Sequence, residues 1–181
     1  MSGILATAGS NSSTSINYHL VQFTAGCIEE HAVECVELAG FEFPMYSEGL
    51  EKSDGIPEQI TELRQRLQRA RGLILSVNEH NGNPSAFFKN LLDWFSRGER
   101  RFLDGIPVFL MSASGGKRGA ISSRNVVEQM LKRFGAEVVS TYSLSGYYDN
   151  FNPEKGITDP DMAAEHLQAL NTFLKSISSG S

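Results

Sequence analysis

Thr7-Ala8-Gly9-Ser10-Asn11-Ser12-Ser13-Thr14-Ser15-Ile16-Asn17-Tyr18-His19-Leu20 decides the fold. It follows a short apolar run, residues 4–6, that reads as a buried strand. It runs into a helix whose apolar positions Ile16, Leu20, Phe23 and Cys27 recur on one narrow face. Between the strand and the first turn of the helix lie Gly9 and six hydroxyl or amide side chains, 10–15, with Asn17 a seventh just beyond, and no acid and no base. One helix cap needs one such residue. Backbone N–H groups at a helix start are unpaired, and the helix dipole favours an anion there. The Ser and Thr hydroxyls add donors. The turn therefore reads as a phosphate site.

Outward from this turn, strands and helices alternate. Apolar runs at 4–8, 33–38, 72–77, 107–111 and 138–144 read as strands. Helices are expected at 15–29, from Pro57, from Pro84, after the segment 112–119, and from Asp159-Pro160, because Pro is favoured at a first helical position. Their apolar stripes are Ile60, Leu63, Leu67 and Ala70; then Phe87, Phe88, Leu91, Leu92, Trp94 and Phe95. Next come Val126, Val127, Met130, Leu131 and Phe134, with Gly135 as a stop; last are Leu167, Leu170, Phe173 (or Leu174) and Ile177. Residues 39–56 read as irregular.

Five strands alternating with five helices give an α/β, doubly wound parallel sheet. The second strand carries Glu34 and Glu37 on opposite faces and belongs at an edge. This suits the strand order 2-1-3-4-5. Such sheets bind ligands beyond the carboxyl ends of the strands, where the order reverses. Segments 9–15, 78–83 and 112–119 should therefore meet in one crevice. The helix from Pro84 spreads its aromatic residues over roughly 160°, at about 100° per residue. That is wider than one sheet face needs, and it points to a subunit interface as well as a core contact, in a homodimer or a tetramer built through helix 84–96.

The 181 residues fit one domain, 1–177, with a Ser/Gly tail read as disordered from Ser176 and set apart at 178–181. The net charge of −5 argues against nucleic-acid binding, and Glu99 interrupts the densest basic group, Arg97, Arg100 and Arg101. Two cysteines make neither a disulfide framework nor a zinc site, and the four histidines are scattered, so no metal is expected. The N-terminus shows no signal-peptide pattern and no window is long enough to span a membrane; a cytoplasmic protein is the expectation.

The dinucleotide fingerprint and the P-loop pattern are both absent after the first strand. A turn of hydroxyls and amides suits a terminal phosphate monoester. The second loop adds the His80 ring, and Gly115 and Gly116 let a flat ligand approach the third loop. A phosphate tail joined to a flat, hydrogen-bonding ring fits all three, and flavin mononucleotide (FMN) has that shape.

Gly9-Ser10-x-x-x-x-Ser15-x-Asn17-x-x-Leu20 resembles the phosphate loop of the NAD(P)H-dependent FMN reductase family, whose pattern is G-S-x-R-x-x-S-x-N-x-x-L. Asn78-Glu79-His80-Asn81-Gly82, followed by Lys89-Asn90-Leu91-Leu92-Asp93-Trp94, resembles that family's P-E-Y-N-G loop and K-N-x-x-D-W helix. Ser114-Gly115-Gly116-x-x-Gly119 is similar to its glycine-rich loop. The resemblance covers about residues 3–140 and implies a flavodoxin-like fold. Carried over by position, it implies that Ser10, Ser15 and Asn17 bind the FMN phosphate, with Ser12 and Ile16 completing the turn. It implies that Asn78, Glu79, His80, Asn81 and Gly82 line the isoalloxazine, and that Ser114, Gly115 and Gly116 lie under the dimethylbenzene or ribityl side. Ser12 stands where the family has Arg, and Asn78 and His80 where it has Pro and Tyr.

The implied activity is hydride transfer from NAD(P)H, the co-substrate, through bound FMN to a quinone, free flavin or similar small acceptor. No catalytic acid or base is nominated. Two alternatives stay open: a flavodoxin-type one-electron carrier, and a flavin-binding redox sensor without turnover.

Overall fold

The computed structural model describes residues 3–178. Five strands, β1 (Ile4–Ala8), β2 (Val33–Val36), β3 (Gly72–Val77), β4 (Pro107–Ala113) and β5 (Glu137–Leu144), form one parallel sheet in the order β2-β1-β3-β4-β5. The helices are α1 (Ile16–Gly26), α2 (Glu48–Asp54), α3 (Glu58–Gln68), α4 (Ala86–Gly98), α5 (Ile121–Arg133), α6 (Tyr147–Asn150) and α7 (Pro160–Ser178). A small hairpin, β6 (Phe151–Asn152) with β7 (Gly156–Ile157), precedes α7.

A parallel sheet covered on both faces must be apolar on both, which explains the unbroken hydrophobic runs. Leu5, Leu73, Leu75, Val108 and Leu110 face α3, α4 and α5. Ile4, Ala6, Ile74, Phe109 and Met111 face α1 and α7. The flavodoxin-like order is therefore the one expected from the pattern of acidic and apolar strands.

Several local expectations need correction. Helix α1 ends at Gly26, so Cys27 lies past its last turn and is exposed rather than in the core. Val126 is 37 % exposed and Leu167 is 52 % exposed. On α5 the inward face is taken by Ser123, Val127 and Leu131. On α7 it is taken by His166, Leu170, Phe173 and Ile177, so Phe173 and not Leu174 is the inward residue. The stretch 39–56 contains α2, which has no buried residue and is held by its Ser47 cap and its acidic first turn. Ser176–Ser178, read as the start of the tail, form the last turn of α7, anchored by buried Ile177. Residues 179–181 lie outside the described residues.

The wide aromatic face of α4 is also corrected as evidence for a dimer. It is covered from within the chain. Phe87 packs on Phe43, Trp94 on Tyr46 and Phe95 on Phe102, at ring-centroid distances of 5.2 Å each. Asn90 accepts from Tyr46 N (2.8 Å) and donates to Pro44 O (3.0 Å), while Trp94 Nε1 donates to the same carbonyl (2.8 Å). The Asn and Trp of the K-N-x-x-D-W stretch thus clamp the segment 44–46. Its Lys89 and Asp93 form a surface ion pair at 2.6 Å.

His166 is 2 % exposed. It is ringed by Phe23, Phe109 and Tyr142. Its Nε2 lies 2.8 Å from Thr24 Oγ1, whose own hydrogen goes to Leu20 O. The Thr24 oxygen must then accept, so Nε2 carries a hydrogen. Burial pulls its pKa down from 6.5 to about 4. The folded state resists a proton that the unfolded state takes up below pH 6.5. The stabilisation is complete above that pH and lost as pH falls through about 4, amounting to about 3 kcal/mol at 1.36 kcal/mol per pH unit. Urea unfolding at successive pH values should show this slope in the natural chain. His166→Phe should lack that component of it.

Candidate functional site

The carboxyl ends of β1, β3 and β4 are neighbours: Ala8 pairs with Ser76, and Val77 with Ser112. The loops that leave them therefore open side by side at the point where the strand order reverses.

In the first loop, Gly9 donates to Ser76 O (2.8 Å) and accepts from Ser85 Oγ at its carbonyl (3.1 Å). A Cβ on Gly9 would sit 2.5 Å from the Phe88 ring, so this glycine is needed for close packing on α4. Ser10 Oγ accepts from Ser12 N, and Ser12 Oγ from Thr14 N, each at 3.3 Å. Ser15 caps α1, its Oγ accepting from Tyr18 N (3.2 Å). These hydroxyls shape the turn by accepting. The hydrogens of Ser10 and Ser15, and the first-turn N–H groups of α1 at Ile16 and Asn17, are available to an anion, while Ser12 Oγ lies 3.3 Å from Thr14 Oγ1. Ser10 and Ser15 are nearly buried at the base of the turn, and Ser12 is exposed at its tip.

Asn17 points elsewhere. It is 2 % exposed, and its Oδ1 accepts from Ala113 N (2.9 Å) and Ser76 Oγ (2.7 Å). Its Nδ2 donates to Ala113 O (3.2 Å). The side chain joins α1 to the ends of β3 and β4, so its part in the site is to set the spacing of the loops.

The second loop is a tight reversal. His80 N donates to Asn83 O (2.8 Å), and Asn83 N to His80 O (3.1 Å). Between them Asn81 and Gly82 have φ of 53° and 76°, the mirror-image turn that Asn-Gly favours. Glu79 turns away from the loop mouth. Its Oε2 accepts from Ser123 N (3.1 Å) in the first turn of α5, and Ser123 Oγ donates to Asn78 O (2.7 Å). The carboxylate thus satisfies a helix start whose cap, Ala120, has no side-chain acceptor. The His80 ring is exposed, 3.2 Å from Asn78 Nδ2.

In the third loop, Ser114 N donates to Leu144 O (3.2 Å) and Ser112 Oγ to Gly119 O (2.6 Å). Gly115 lies under Tyr148, whose ring a Cβ there would meet at 2.9 Å; Gly116 is open except for Ser114 Oγ. Tyr148 is 77 % exposed. Neither His19 nor Tyr147 stands out in the sequence. The structure joins them: His19 Nδ1 is 2.8 Å from Tyr147 OH, and Tyr147 N donates to Ser114 O (3.0 Å). Burial, and then the neighbouring Tyr148, push the Tyr147 phenol up, so it stays protonated in this clasp between α1 and the third loop. Neither sequence neighbourhood signals a contact across 128 positions.

The residues fit FMN. A turn rich in free donors, with no acid in the first turn of α1, suits a phosphate. Two loops of open backbone at Gly82 and Gly116 suit a flat ring system. Among the described residues no group of His, Cys, Asp and Glu could hold a metal ion, and no helix is long and apolar enough to cross a membrane. A cleft of about 780 Å³ bordered by Arg66 and Arg69 lies at the opposite, amino-terminal end of β1 and β2. Doubly wound sheets do not bind cofactors at that end.

Comparison with known proteins agrees with this geometry. Residues 3–149 match the family model described as NADPH-dependent FMN reductase. The chain is 35 % identical over 161 residues to the uncharacterized MG342 homolog of Mycoplasma pneumoniae, covering 82 % of this chain and 90 % of that one. It is 24 % identical over 128 residues to the quinone reductase of Escherichia coli, covering 70 % of this chain and 68 % of that one. The flavoenzyme NAD(P)H:(acceptor) oxidoreductase FerB of Paracoccus denitrificans shares the fold, with a TM-score of 0.80 at 19 % identity over 99 % of this chain and 98 % of that one. With residues 3–149 matching the family model and the strands in the order β2-β1-β3-β4-β5, the chain belongs to the NADPH-dependent FMN reductase family.

Proposed function

We propose that this chain binds FMN across its three loops and passes two electrons from NAD(P)H to a small acceptor, of which a quinone is the leading class. The observation that carries the reading is the meeting of the anion-ready turn with two open loops at the β1/β3 switch point. FMN, when bound, supplies the two-electron chemistry; the protein binds and orients it.

In this reading the N–H groups of Ile16 and Asn17, with the hydroxyls of Ser10, Ser12 and Ser15, hold the phosphate. The Asn78–Gly82 reversal and Ser114–Gly116 flank the ring system. Glu79 and Ser123 keep the second loop fixed to α5. Lys117 and Arg118, exposed beside Gly116 and without an ion pair among the described residues, attract the phosphates of the dinucleotide. The free state of Cys27 and Cys35 suits the reducing cytoplasm where NAD(P)H is abundant.

The test is spectroscopic. Protein mixed with FMN and passed through a desalting column should retain the yellow chromophore, and NAD(P)H should bleach it until a quinone restores it. Protein that emerges colourless, with no NAD(P)H consumption in the presence of FMN and quinone, would refute the assignment.

A further inference from the structure

Asn78 and His80 are the two positions at which the second loop departs from the P-E-Y-N-G pattern, and they touch each other. Asn78 Nδ2 lies 3.2 Å from His80 Nε2. An amide nitrogen can only donate, so Nε2 accepts, and the neutral imidazole carries its hydrogen on Nδ1. The other amide atom, Asn78 Oδ1, is buried and has no hydrogen-bond partner among the described residues. A half-turn of the amide exchanges the two atoms. Oδ1 then faces Nε2, as an imidazolium requires, and Nδ2 becomes the inward atom. Each orientation satisfies the contact with His80, so one side chain can partner both protonation states of the ring. A proline at this position could partner neither.

The ring is also well placed to exchange protons. The two main-chain hydrogen bonds to Asn83 hold its backbone, and its side chain is exposed at the carboxyl end of β3. The adjacent carboxylate, Glu79, is engaged with Ser123 N on α5, and among the described residues no ion pair reaches His80.

We infer that His80 is the proton donor to the acceptor during its reduction, and that Asn78 is its positioning residue. The inference rests on the proposed reductase activity with a quinone-class acceptor. Overall, NAD(P)H, one proton and the quinone give NAD(P)+ and the hydroquinone. Both electrons and one of the two added hydrogens come from NAD(P)H as a hydride equivalent. The second proton must reach the other quinone oxygen, forming its O–H bond as the Nδ1–H bond of the His80 imidazolium breaks. The transient ring keeps Nε2–H on Asn78 Oδ1 and solvent returns the proton to Nδ1; in the resting neutral ring Nε2 has lost its hydrogen and the amide has turned back, which restores the Nδ1–H form.

The experiment uses FMN-loaded protein with NADPH and two acceptors: a benzoquinone, whose reduction consumes protons, and ferricyanide, whose reduction does not. His80→Gln should slow quinone turnover about 10-fold more than it slows ferricyanide turnover, and should flatten the pH profile of quinone turnover alone. Independently of turnover, ¹⁵N NMR of the His80 ring should place the hydrogen of the neutral form on Nδ1 in the natural chain, and this preference should be lost in Asn78→Ala. Equal slowing with both acceptors, an unchanged quinone pH profile in His80→Gln, or ring nitrogens indifferent to Asn78→Ala would overturn the inference. No NADPH oxidation by the unsubstituted protein with either acceptor is a different result: it would overturn the reductase activity and the proton-donor role with it.

Discussion

Replacing Ser15 by Asp is expected to weaken FMN binding at least about 100-fold while leaving the apoprotein as stable as before. The two effects separate because the two jobs of this residue respond differently to charge. As the cap of α1, Ser15 accepts from Tyr18 N, and Asp is as good a cap as Ser. The first turn of α1 holds no acid, so a carboxylate there also gains from the helix dipole. As part of a phosphate turn, the same carboxylate stands beside a dianion. Two unit charges 4 Å apart cost about 4 kcal/mol at an effective dielectric of 20, so a hundredfold loss is a cautious figure for a site that is partly open to solvent. Ser15→Ala gives the opposite pattern: a loss of about 1 kcal/mol in stability from the missing cap, with a smaller loss of FMN affinity. Thermal melting without FMN and fluorescence titration with it read the two quantities separately. If Ser15→Asp binds FMN normally, the turn is a helix cap and the phosphate lies elsewhere.

The turn could be read from sequence because its signal is local. Hydroxyls crowded between an apolar run and a helical stripe mark a strand-to-helix turn, and Ser15 caps α1 there. The strands were legible for a similar reason, since burial on both faces leaves an unbroken apolar run. What escaped notice depends on residues far apart in sequence. His166 reads as polar in a helical pattern, and this moves the apparent stripe of α7 by one residue onto Leu167. In the structure His166 is the first of four inward residues, because Thr24, 142 positions away, satisfies its ring. The aromatic face of α4 is too wide for the sheet alone. Its remaining partners are Phe43, Tyr46 and Phe102, in segments without periodicity, so a single-chain explanation could not be seen from the pattern. Helix α2 has no fully buried residue and packs on the core only through Leu50, and a helix without a stripe leaves no trace in hydrophobic spacing.

Asn17 shows the same limit inside the site itself, and it carries the second large effect. Asn17→Ala is expected to destabilise the protein by about 3–6 kcal/mol, with or without FMN, because three buried partners lose their hydrogen bonds at once. The partners are Ala113 N, Ala113 O and Ser76 Oγ, and none has water to turn to: Ala113 is 2 % exposed and Ser76 fully buried. A typical domain is stable by only about 5–15 kcal/mol, so the loss takes a large share of the total. Asn17→Asp keeps two of the three contacts but sets a carboxylate oxygen against the Ala113 carbonyl, and should also be strongly destabilising. Urea unfolding of the apoprotein measures the effect directly. A phosphate ligand would behave otherwise, since its removal would leave apoprotein stability unchanged and lower only the affinity for FMN. Loss of stability in the apoprotein would therefore identify Asn17 as the residue that sets the distance between the phosphate turn and the ends of β3 and β4. The weaker FMN binding that accompanies it would follow from the shifted turn, because the hydroxyls and N–H groups proposed to hold the phosphate are positioned by the helix that Asn17 fastens to the sheet.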